Sequence, residues 1–582
     1  MTRAKENLIV LIPAYEPPRE FIEYARKVAS LAHALIVVND GSGEEYDGIF
    51  QEIAEIENVR YLTYGENHGK GYALKHAFRY AGENFPSEAV LVTADCDGQH
   101  SIKDIMRVYK AAYLHPGALT LGSRDFTEPN VPPRSRAGNT NMCAMFKAFY
   151  GLELYDTQTG LRGFAVGLAE RFLKVSGDRF EFELGQLIYA KKNGIPIYET
   201  PIDTIYPDDP GEHVSHFRTI RDSLRVLGVM LGNLGYYLLS SVLSAVVDVG
   251  VFFVLSTFIF PAVSPLWNLL ATVSARVISS VVNFAFNYKY VFGGAGKSAI
   301  VRYYVLWACQ LSASYGLVSL FSHAFSFTGV ALSAAKAVGD LCLALLSYQI
   351  QQYWVFRGRD PKSFYGPAIS YARAAARVFS RSYRCNVLPY DEGTVYVCRH
   401  LDMHGPYTTL KWLKFHVHPM MLSCFFDRKE CYDQLTGYTF TARRGKKKKK
   451  YSLKAAIASV GIVAAARSIR AIPVYRGSIK VTKTFRLATD ALLRGQPVIV
   501  YPDIDYADER GEDDIYDGFL YLGEIYRRKC GKSLRFVPIY IDDERRKLEE
   551  FDAATVDNFK EDAPRVKEYL RRAINGEISA AQ

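Results

Sequence analysis

Four long apolar segments in the middle of the chain set the strongest constraint on its fold. They cover residues 236–260, 266–287, 301–322 and 330–350, each close to the roughly 20 residues that a helix needs to cross a bilayer. The links at 261–265 and 323–329 contain no Lys or Arg, whereas Lys289, Lys297 and Arg302 lie on the other side. Because basic loops stay in the cytoplasm, we expect a four-span domain over 226–358 in the cell membrane, with both chain termini cytoplasmic.

The segments on either side of the spans, 1–225 and 363–582, have the composition of soluble domains. At about 150 residues per domain, a chain of 582 residues is expected to form three or four units. Its nine cysteines contain no C-x-x-C pair, which argues against a disulfide framework or a structural zinc site and favours a reducing compartment. The net charge is +10, and the basic residues cluster near the spans and at 446–450. This distribution indicates anionic lipid rather than nucleic acid as a partner.

The first segment alternates short apolar runs with amphipathic stretches. The runs at 8–12, 34–38, 59–64 and 89–93 are strand-like, and the alternation predicts an α/β fold with a parallel, Rossmann-like nucleotide-binding sheet and crossover helices. The first run is only about six residues long and ends at Pro13, which is too short for the apolar region of a signal peptide. We therefore interpret it as the first strand.

A polar turn follows each of these four runs. The turns are Pro13-Ala14-Tyr15, residues 39–42, residues 67–71 and residues 95–100. Parallel sheets bind ligands at the carboxyl ends of their strands, so four such turns on one edge predict a nucleotide pocket. Any one of them alone could be an ordinary surface turn.

The fourth turn, in the stretch VTADCDGQH, places Asp95 and Asp97 one residue apart directly after a buried run. Mg²⁺ and Mn²⁺ prefer oxygen ligands and are commonly held by one or two carboxylates plus substrate phosphates. Acidic pairs are also common in exposed loops, so the D-x-D spacing becomes informative only together with the other three turns.

Residues 1–225 carry the motifs IPAY, NDGS, NHGKGYALKHAF, ADCDGQH, GSR, TQTGLRGF, RFEFE and SHFRTIRDS. In these motifs the segment resembles glycosyltransferase family 2 with the GT-A fold, and within it the polyprenyl-phosphate (dolichyl-phosphate-like) mannosyl- and glucosyltransferases. The resemblance implies transfer of a sugar from an NDP-sugar to a polyprenyl phosphate on the cytoplasmic leaflet.

The resemblance also implies roles for individual residues. Asp40 is expected beside the nucleotide base, and Asp156 is a candidate for activating the acceptor phosphate. The nucleotide-sugar site is expected to include Pro13, Ala14, Tyr15, Asp40, Lys70, Asp95 and Gln99. A Mg²⁺ or Mn²⁺ cofactor is expected on Asp95, Asp97 and Gln99. Candidate contacts to diphosphate or lipid phosphate are Arg124, Arg134, Arg136, Ser215 and Arg218.

The chemistry of the reaction supports these roles. A departing nucleotide diphosphate needs its charge neutralised, which a metal ion and Arg or Lys side chains can do. The acceptor phosphate is already anionic, so Asp156 is expected to orient rather than deprotonate. Alternatively, Asp156 is a helix cap or turn residue and Lys70 is a solvated loop lysine. The chain departs from the family at Glu16, where Asn is usual. It also has a single carboxylate, Asp40, to accept a hydrogen bond from the nucleotide base, where the family often has two acidic residues.

The four-span block resembles the GtrA-like family, which is thought to help move polyprenyl-phosphate sugars across membranes. The similar endings NFAFNYKYVF and SYQIQQYWVF carry the resemblance and suggest an internal duplication. Before the first span, HFRTIRDSLRVLGVM has basic and apolar faces, as expected of either an interfacial helix or a plain linker helix.

Four charged residues fall within the predicted spans. Intramembrane charges are costly and usually face a partner or a cavity, which makes Asp248, Arg276, Lys336 and Asp340 functional candidates. Lys336 and Asp340 are spaced to pair on one helix face. Asp248 and Arg276 are candidates for a pair between helices.

The C-terminal segment has strand-like runs at 394–398, 471–475, 498–501 and 536–541, which predict a second α/β domain over 363–582. VYVCRHLDMHGP, AIPVYRGS and PVIVYPDIDY resemble the PlsC-like glycerophospholipid acyltransferases, in which a His activates a hydroxyl toward an acyl thioester such as acyl-CoA or acyl-ACP. By this resemblance His400 is the candidate base and Arg476 a phosphate ligand, with Asp503 in the altered F-P-E-G turn.

The acyltransferase pattern is incomplete. Gly405 stands where the family has the Asp that pairs with the His, so Asp402 or His404 would have to orient His400. Active acyl transfer and a degenerate lipid-binding domain are both open. The lysine run 446–450 beside the apolar stretch 455–466 predicts contact with an anionic leaflet, or else a solvated loop followed by a buried helix.

Two other functions compete with lipid glycosylation. A processive polysaccharide synthase usually carries Q-x-x-R-W, but the chain has no Arg-Trp pair. A lipid-glycan translocator would use the first domain only as a binding module. The intact set of Asp95, Asp97 and Arg124 favours an active transferase.

Overall fold

The computed structural model describes residues 7–129, 131–204, 219–259, 265–292, 298–324, 329–356, 364–378, 380–390, 393–439, 452–475, 479–503 and 514–578. The chain forms two compact units, Met1–Arg359 and Asp360–Gln582. The boundary predicted between residues 225 and 226 falls inside one continuous helix, Thr219–Val254.

A seven-stranded sheet forms the centre of the first unit. Its strands are β1 (Leu8–Ala14), β2 (Ala34–Asn39), β3 (Val59–Thr63), β4 (Val90–Thr93), β5 (Leu119–Ser123), β6 (Arg162–Ala165) and β7 (Ile197–Pro201), in the order β3-β2-β1-β4-β6-β5-β7. The four predicted strands are confirmed. They are parallel to one another, as predicted. Strand β6, which was not predicted, runs antiparallel to β4 and β5. After β5 the chain stays at the carboxyl edge of the sheet, so β6 enters from that edge.

Helices cover both faces of this sheet. They are α1 (Phe21–Leu31), α2 (Asp47–Ala54), α3 (Lys70–Asn84), α4 (Ile102–Leu114), α5 (Pro133–Tyr150), α6 (Val166–Phe172) and α7 (Glu181–Lys192). In β1, Ile9 and Leu11 belong to one core, and Leu8, Val10 and Ile12 to the other. A strand buried on both faces reads as a continuous apolar run, which explains why β1 was predictable.

The membrane part contains α8 (Thr219–Val254), α9 (Pro265–Phe286), α10 (Ala299–Ala324) and α11 (Gly329–Ile350). Within the described residues, three helical segments are long and apolar enough to cross a membrane: Leu234–Ile259, Leu266–Val291 and Ala299–Phe321. Helix α11 lies where the fourth span was expected, and its crossing stays a prediction. Helix α8 runs without a break into the first span, which favours a linker helix over a separate interfacial helix.

The two similar aromatic endings occupy equivalent positions in the structure. Each forms a π-helical turn, at Asn287–Val291 and Gln351–Val355. Phe292 and Phe356, the last residues of the two motifs, stack with ring centroids 4.7 Å apart. At the first residue of each turn, Asn287 Nδ2 donates to Gln351 Oε1 at 3.3 Å. The endings therefore pair with each other at matched positions.

Both predicted ion pairs among the membrane helices are present. Arg276 on α9 lies 3.5 Å from the Asp248 carboxylate on α8, which also accepts a hydrogen bond from Ser279. Lys336 and Asp340 pair along α11, and Ser314 of α10 donates to Asp340 at 2.6 Å. Asp248 and Asp340 thus each have a cationic and a hydroxyl partner, as expected where charge is costly.

The second unit is built on an eight-stranded sheet. Its strands are β8 (Arg384–Asn386), β9 (Thr394–Cys398), β10 (His418–Leu422), β11 (Ile472–Val474), β12 (Val498–Val500), β13 (Arg535–Asp542), β14 (Lys547–Glu550) and β15 (Ala554–Thr555). The order is β11-β10-β12-β9-β13-β14-β8, with β15 on β13. All four predicted strands are present, and the prediction of a second α/β domain is confirmed.

Seven α-helices accompany this sheet in the part of the second unit that the structure describes. They are α12 (Pro367–Val378), α13 (His404–Trp412), α14 (Arg428–Gln434), α15 (Ser452–Ser468), α16 (Val481–Leu493), α17 (Tyr521–Cys530) and α18 (Phe559–Ile574). All nine cysteines of the chain are free thiols in this structure.

Candidate active site

The polar turns of the first unit meet at the carboxyl edge of the sheet. Strands β1, β2 and β4 are parallel neighbours, so their ends lie side by side. The turns are also bonded to one another: Asp40 N donates to Ala14 O at 2.9 Å, and Glu16 N donates to Ser42 Oγ at 2.9 Å. Pro13 and Ala14 form the buried floor, with Tyr15 partly exposed above them.

Asp40 is held by the loop that precedes α3. Its buried carboxylate accepts hydrogen bonds from Tyr64 Oη at 2.8 Å, His68 N at 3.1 Å and Gly69 N at 3.0 Å. Burial raises the pKa of Asp40, and these donors oppose the rise. Asp40 therefore anchors this loop, and its predicted contact with a nucleotide base stays a prediction.

Lys70, the first residue of α3, forms the centre of a charge cluster. Its Nζ lies 2.7 Å from Asp95 Oδ1 and 3.0 Å from Glu183 Oε1, while His100 Nε2 lies 3.3 Å from Asp95 Oδ2. Although burial opposes the shift, the Lys70 ammonium holds the pKa of Asp95 well below its usual range. Lys70 is therefore a paired, largely buried lysine rather than a solvated loop residue.

Asp97 is the less compensated carboxylate of this turn. Its Oδ1 accepts the Gln99 N–H at 3.0 Å, and burial followed by the Asp95 charge raises the pKa of Asp97. Two close carboxylates with excess negative charge fit a divalent cation. No group of three or more His, Cys, Asp or Glu side chains arranged for a metal occurs among the described residues.

A close approach of backbone to carboxylate joins this turn to the TQTG motif. A Cβ atom at Gly160 would lie 2.5 Å from Asp95 Oδ2, so no larger residue fits there without displacing the carboxylate. Thr93 Oγ1 donates to the Gly160 carbonyl at 2.7 Å and fixes the two segments together.

Arg124 and Asp156 form the second charged pair of the site. Arg124 Nε and Nη2 lie 2.7 and 3.2 Å from the two oxygens of Asp156, whose side chain is fully buried. The Asp156 turn is held by Glu199, which accepts the Tyr155 and Asp156 N–H groups at 2.7 and 3.1 Å. Asp156 also accepts the Gln158 N–H, so it stabilises the turn and positions Arg124 at once.

The structure adds site residues that sequence reasoning missed. Glu183 pairs with Lys70, and the fully buried Arg162 donates through Nη1 to the Glu183 carbonyl at 2.6 Å and to Gln186 Oε1 at 2.9 Å. Burial lowers the pKa of Arg162, and nearby carboxylates oppose the shift. Both residues stand in quoted motifs, RFEFE and TQTGLRGF, but spacing alone did not show what they contact.

The predicted lipid-phosphate residues are only partly placed. Arg134 and Arg136 lie exposed in the first turn of α5, where Arg136 donates to the Glu128 carbonyl at 2.9 Å. Ser215 and Arg218 lie outside the described residues. Their predicted contacts with phosphate stay predictions.

The acyltransferase candidate His400 lies in the turn before α13. His400 Nδ1 accepts the Met403 N–H at 3.4 Å, and Asp503 Oδ2 accepts the His400 backbone N–H at 2.8 Å. His404 Nε2 lies 2.8 Å from Asp543 Oδ1. The Asp402 side chain and Arg476 lie outside the described residues.

Gly405 occupies a position that admits no side chain. A Cβ atom there would lie 1.7 Å from the Arg399 carbonyl oxygen. An Asp at this position, as in the acyltransferase pattern, would collide with the backbone, because the turn after His400 closes on itself. Acyl transfer by this unit stays a prediction.

Comparison with known proteins agrees with the arrangement at the sheet edge. The family model "Glycosyl transferase family 2" matches residues 9–171. An uncharacterised protein of Methanocaldococcus jannaschii is 31% identical over 209 residues, which cover 35% of this chain and 84% of that protein. The chain belongs to glycosyl transferase family 2. The model "GtrA/DPMS, transmembrane domain" matches residues 236–356, so the chain is a membrane glycosyltransferase.

Other relatives were also found. A UDP-N-acetylglucosamine–dolichyl-phosphate N-acetylglucosaminyltransferase of Methanococcus voltae is 28% identical over 232 residues, covering 35% of this chain and 88% of that protein. Glucosyl-3-phosphoglycerate synthase of Mycobacterium tuberculosis, solved with Mn²⁺, UDP and glucosyl-3-phosphoglycerate, is 16% identical with a TM-score of 0.30, covering 40% of this chain and 81% of that chain.

The Arg124–Asp156 pair predicts a specific cost for a conservative change. Arg124→Lys should lower the rate of sugar transfer about 100-fold, because lysine cannot donate to both Asp156 oxygens and keep a planar group toward the substrate. The check is sugar transfer by purified enzyme, with the exposed Arg60→Lys as the matched control. Wild-type activity in Arg124→Lys would contradict a role for the paired guanidinium.

The packing at Gly405 predicts the outcome of introducing the Asp of the acyltransferase pattern. Gly405→Asp should destabilise the second unit by about 3 kcal/mol without creating acyl transfer, because the side chain overlaps the Arg399 carbonyl. Limited proteolysis of the full chain during heating measures the change. Gly518→Asp, at a position with open space around it, is the control. Labelled acyl transfer by Gly405→Asp would overturn this reasoning.

Proposed function

We propose that the protein transfers a hexose of the glucose or mannose class from an NDP-sugar to a polyprenyl phosphate at the cytoplasmic leaflet of the cell membrane. The observation that carries the proposal is the pair of cation–carboxylate contacts, Lys70–Asp95 and Arg124–Asp156, at one sheet edge of a chain with membrane-spanning helices. The acceptor named in the Methanococcus voltae relative supports a lipid phosphate.

The donor side of the site suits a nucleotide diphosphate. Asp95 and Asp97, with Gln99, would hold Mg²⁺ or Mn²⁺, which when bound neutralises charge on the leaving diphosphate. Lys70, at the start of α3, adds a cation beside this turn and is fixed by Asp95 and Glu183. Preorganised positive groups of this kind need little rearrangement as leaving-group charge develops.

The acceptor side needs binding more than base catalysis. A phosphate oxygen is already a nucleophile, so the buried Asp156 has its role in orienting Arg124 rather than in removing a proton. Arg134 and Arg136 supply exposed positive charge at the start of α5, where a lipid phosphate can approach.

The alternative is a lipid-glycan translocator in which the first domain only binds. The Asp248–Arg276 pair between α8 and α9 is the feature that favours some role for the membrane domain in product movement. Under either function, acyl-CoA or acyl-ACP remains an expected partner only if the second unit acts on lipids.

An exposed apolar face on α15 favours anionic lipid as a further partner. Leu453, Ile457 and Val460 project from one side of this helix with 73%, 68% and 49% of their surface exposed. The opposite side packs Ala455 and Val463 into a small core, so the helix is half buried. The five lysines at 446–450 directly precede it, and each adds about 1 kcal/mol near an anionic surface.

Membranes with the full chain, incubated with a panel of labelled NDP-sugars, should yield one lipid-extractable labelled product. Asp97→Asn and chelation by EDTA should each lower the yield at least about 100-fold, because leaving-group charge is no longer neutralised. Asp47→Asn, an exposed change in α2, is the control. No lipid-linked sugar from any donor would reject the proposal.

The lipid contact of α15 predicts a dependence on membrane charge. In nanodiscs containing phosphatidylglycerol, amide exchange across 452–468 should slow relative to phosphatidylcholine nanodiscs. Ile457→Asp should remove the difference, whereas Leu493→Asp, an exposed apolar position on α16, should keep it. Equal exchange in both lipids would show that α15 does not contact the bilayer.

A further inference from the structure

Helix α5 connects the acceptor side of the site with the membrane helices. It runs from Pro133 to Tyr150, 18 residues or about 27 Å. Its first turn carries Arg134 and Arg136. In its first half Asn139 Nδ2 donates to the Tyr155 carbonyl at 2.6 Å, directly before Asp156. The orientation of α5 therefore affects both the exposed arginines and the turn that holds Arg124.

The opposite end of α5 is capped by side chains from the ending of α11. The last carbonyls of a helix lack partners within the helix and need donors from elsewhere. Tyr348 Oη donates to Phe149 O at 2.6 Å, and Gln349 Nε2 donates to Ala148 O at 2.9 Å.

The π-helical turn that follows α11 adds two more donors. Gln352 Nε2 donates to Ala148 O at 3.2 Å, and Tyr353 Oη donates to Lys147 O at 2.5 Å. Four side chains from one short segment thus reach three consecutive carbonyls.

These donors are backed by packed and hydrogen-bonded residues. Tyr348 is 1% exposed and stacks edge-on with Tyr237 of α8 at 5.1 Å. Between the donors, the buried Gln351 bonds to Ser347 and Tyr237. At the end of α5, Tyr150 Oη donates to the Val229 carbonyl of α8 at 2.9 Å. The C-terminus of α5 is therefore attached to two membrane helices.

We propose that Tyr348, Gln349, Gln352 and Tyr353 are positioning residues for the acceptor. By fixing the C-terminal end of α5, they set the orientation of Arg134, Arg136 and Asn139 at its other end. The membrane helices then act in sugar transfer itself as well as in anchoring. This inference rests on the proposed function, because it requires a lipid phosphate that binds near the start of α5.

The proposal differs from simple attachment between two parts of the chain. An attachment would lower stability when weakened but would leave the KM values of the surviving enzyme unchanged. A positioning role raises the KM for the lipid acceptor and leaves the KM for the NDP-sugar unchanged, since Lys70 and Asp95 lie on other elements.

The test uses full-length enzyme in nanodiscs with polyprenyl phosphate and the donor that yields product. The double variant Gln349→Ala/Gln352→Ala should raise the acceptor KM about tenfold with an unchanged donor KM. Gln349→Lys/Gln352→Lys should bring the acceptor KM most of the way back to the wild-type value, because lysine donates hydrogen bonds and suits a helix C-terminus. The corresponding Glu pair should raise the acceptor KM more than the Ala pair does. Ile350→Ala, exposed between the two glutamines, is the control.

Equal rises in both KM values, or an unchanged acceptor KM in active Ala and Glu pairs, would overturn the positioning role. A wild-type enzyme that forms no lipid-linked sugar would instead reject the proposed function. The two failures are distinguishable because the first is observed only when the wild-type enzyme is active, whereas in the second the wild-type enzyme forms no product.

Discussion

Compensation of buried negative charge is the condition on which the site depends. A carboxylate removed from water is strongly unfavourable unless a cation and hydrogen-bond donors accompany it. Lys70 meets this condition for Asp95, and Arg124 meets it for Asp156. Asp97 is less completely compensated, because burial and the Asp95 charge raise its pKa.

Carboxylates on the membrane helices are also accompanied by a cation and a hydrogen-bond donor. Asp248 and Asp340 each combine a basic side chain with a serine hydroxyl, and Asn287 and Gln351 bond to each other. Polar side chains that meet inside a bundle hold its helices in one arrangement. The C-terminal end of α5 is hydrogen-bonded to two of these helices, α8 and α11.

Sequence predicted those features that depend on neighbours along the chain. Strands β1 to β4 were evident because continuous apolar runs end at polar turns, and the Lys336–Asp340 pair follows from helical spacing. Contacts between distant residues were not predictable: Glu183 reaches Lys70 only through the packing of α7 on α3. The sequence predicted that Asp40 and the loop before α3 lie close together, but it did not show that this loop donates hydrogen bonds to the Asp40 carboxylate. Gly405 had no sequence explanation, because the Arg399 carbonyl approaches it only in the folded turn.

The pairing of the two π-helical turns has a consequence for how the membrane domain can vary. Phe292 stacks on Phe356 and Asn287 bonds to Gln351, so two residues of one ending contact the residues at the matched positions of the other. A residue inserted within either ending would shift that half out of register with its partner. The two halves must therefore change length together, and new residues are tolerated in the links between helices rather than at the endings.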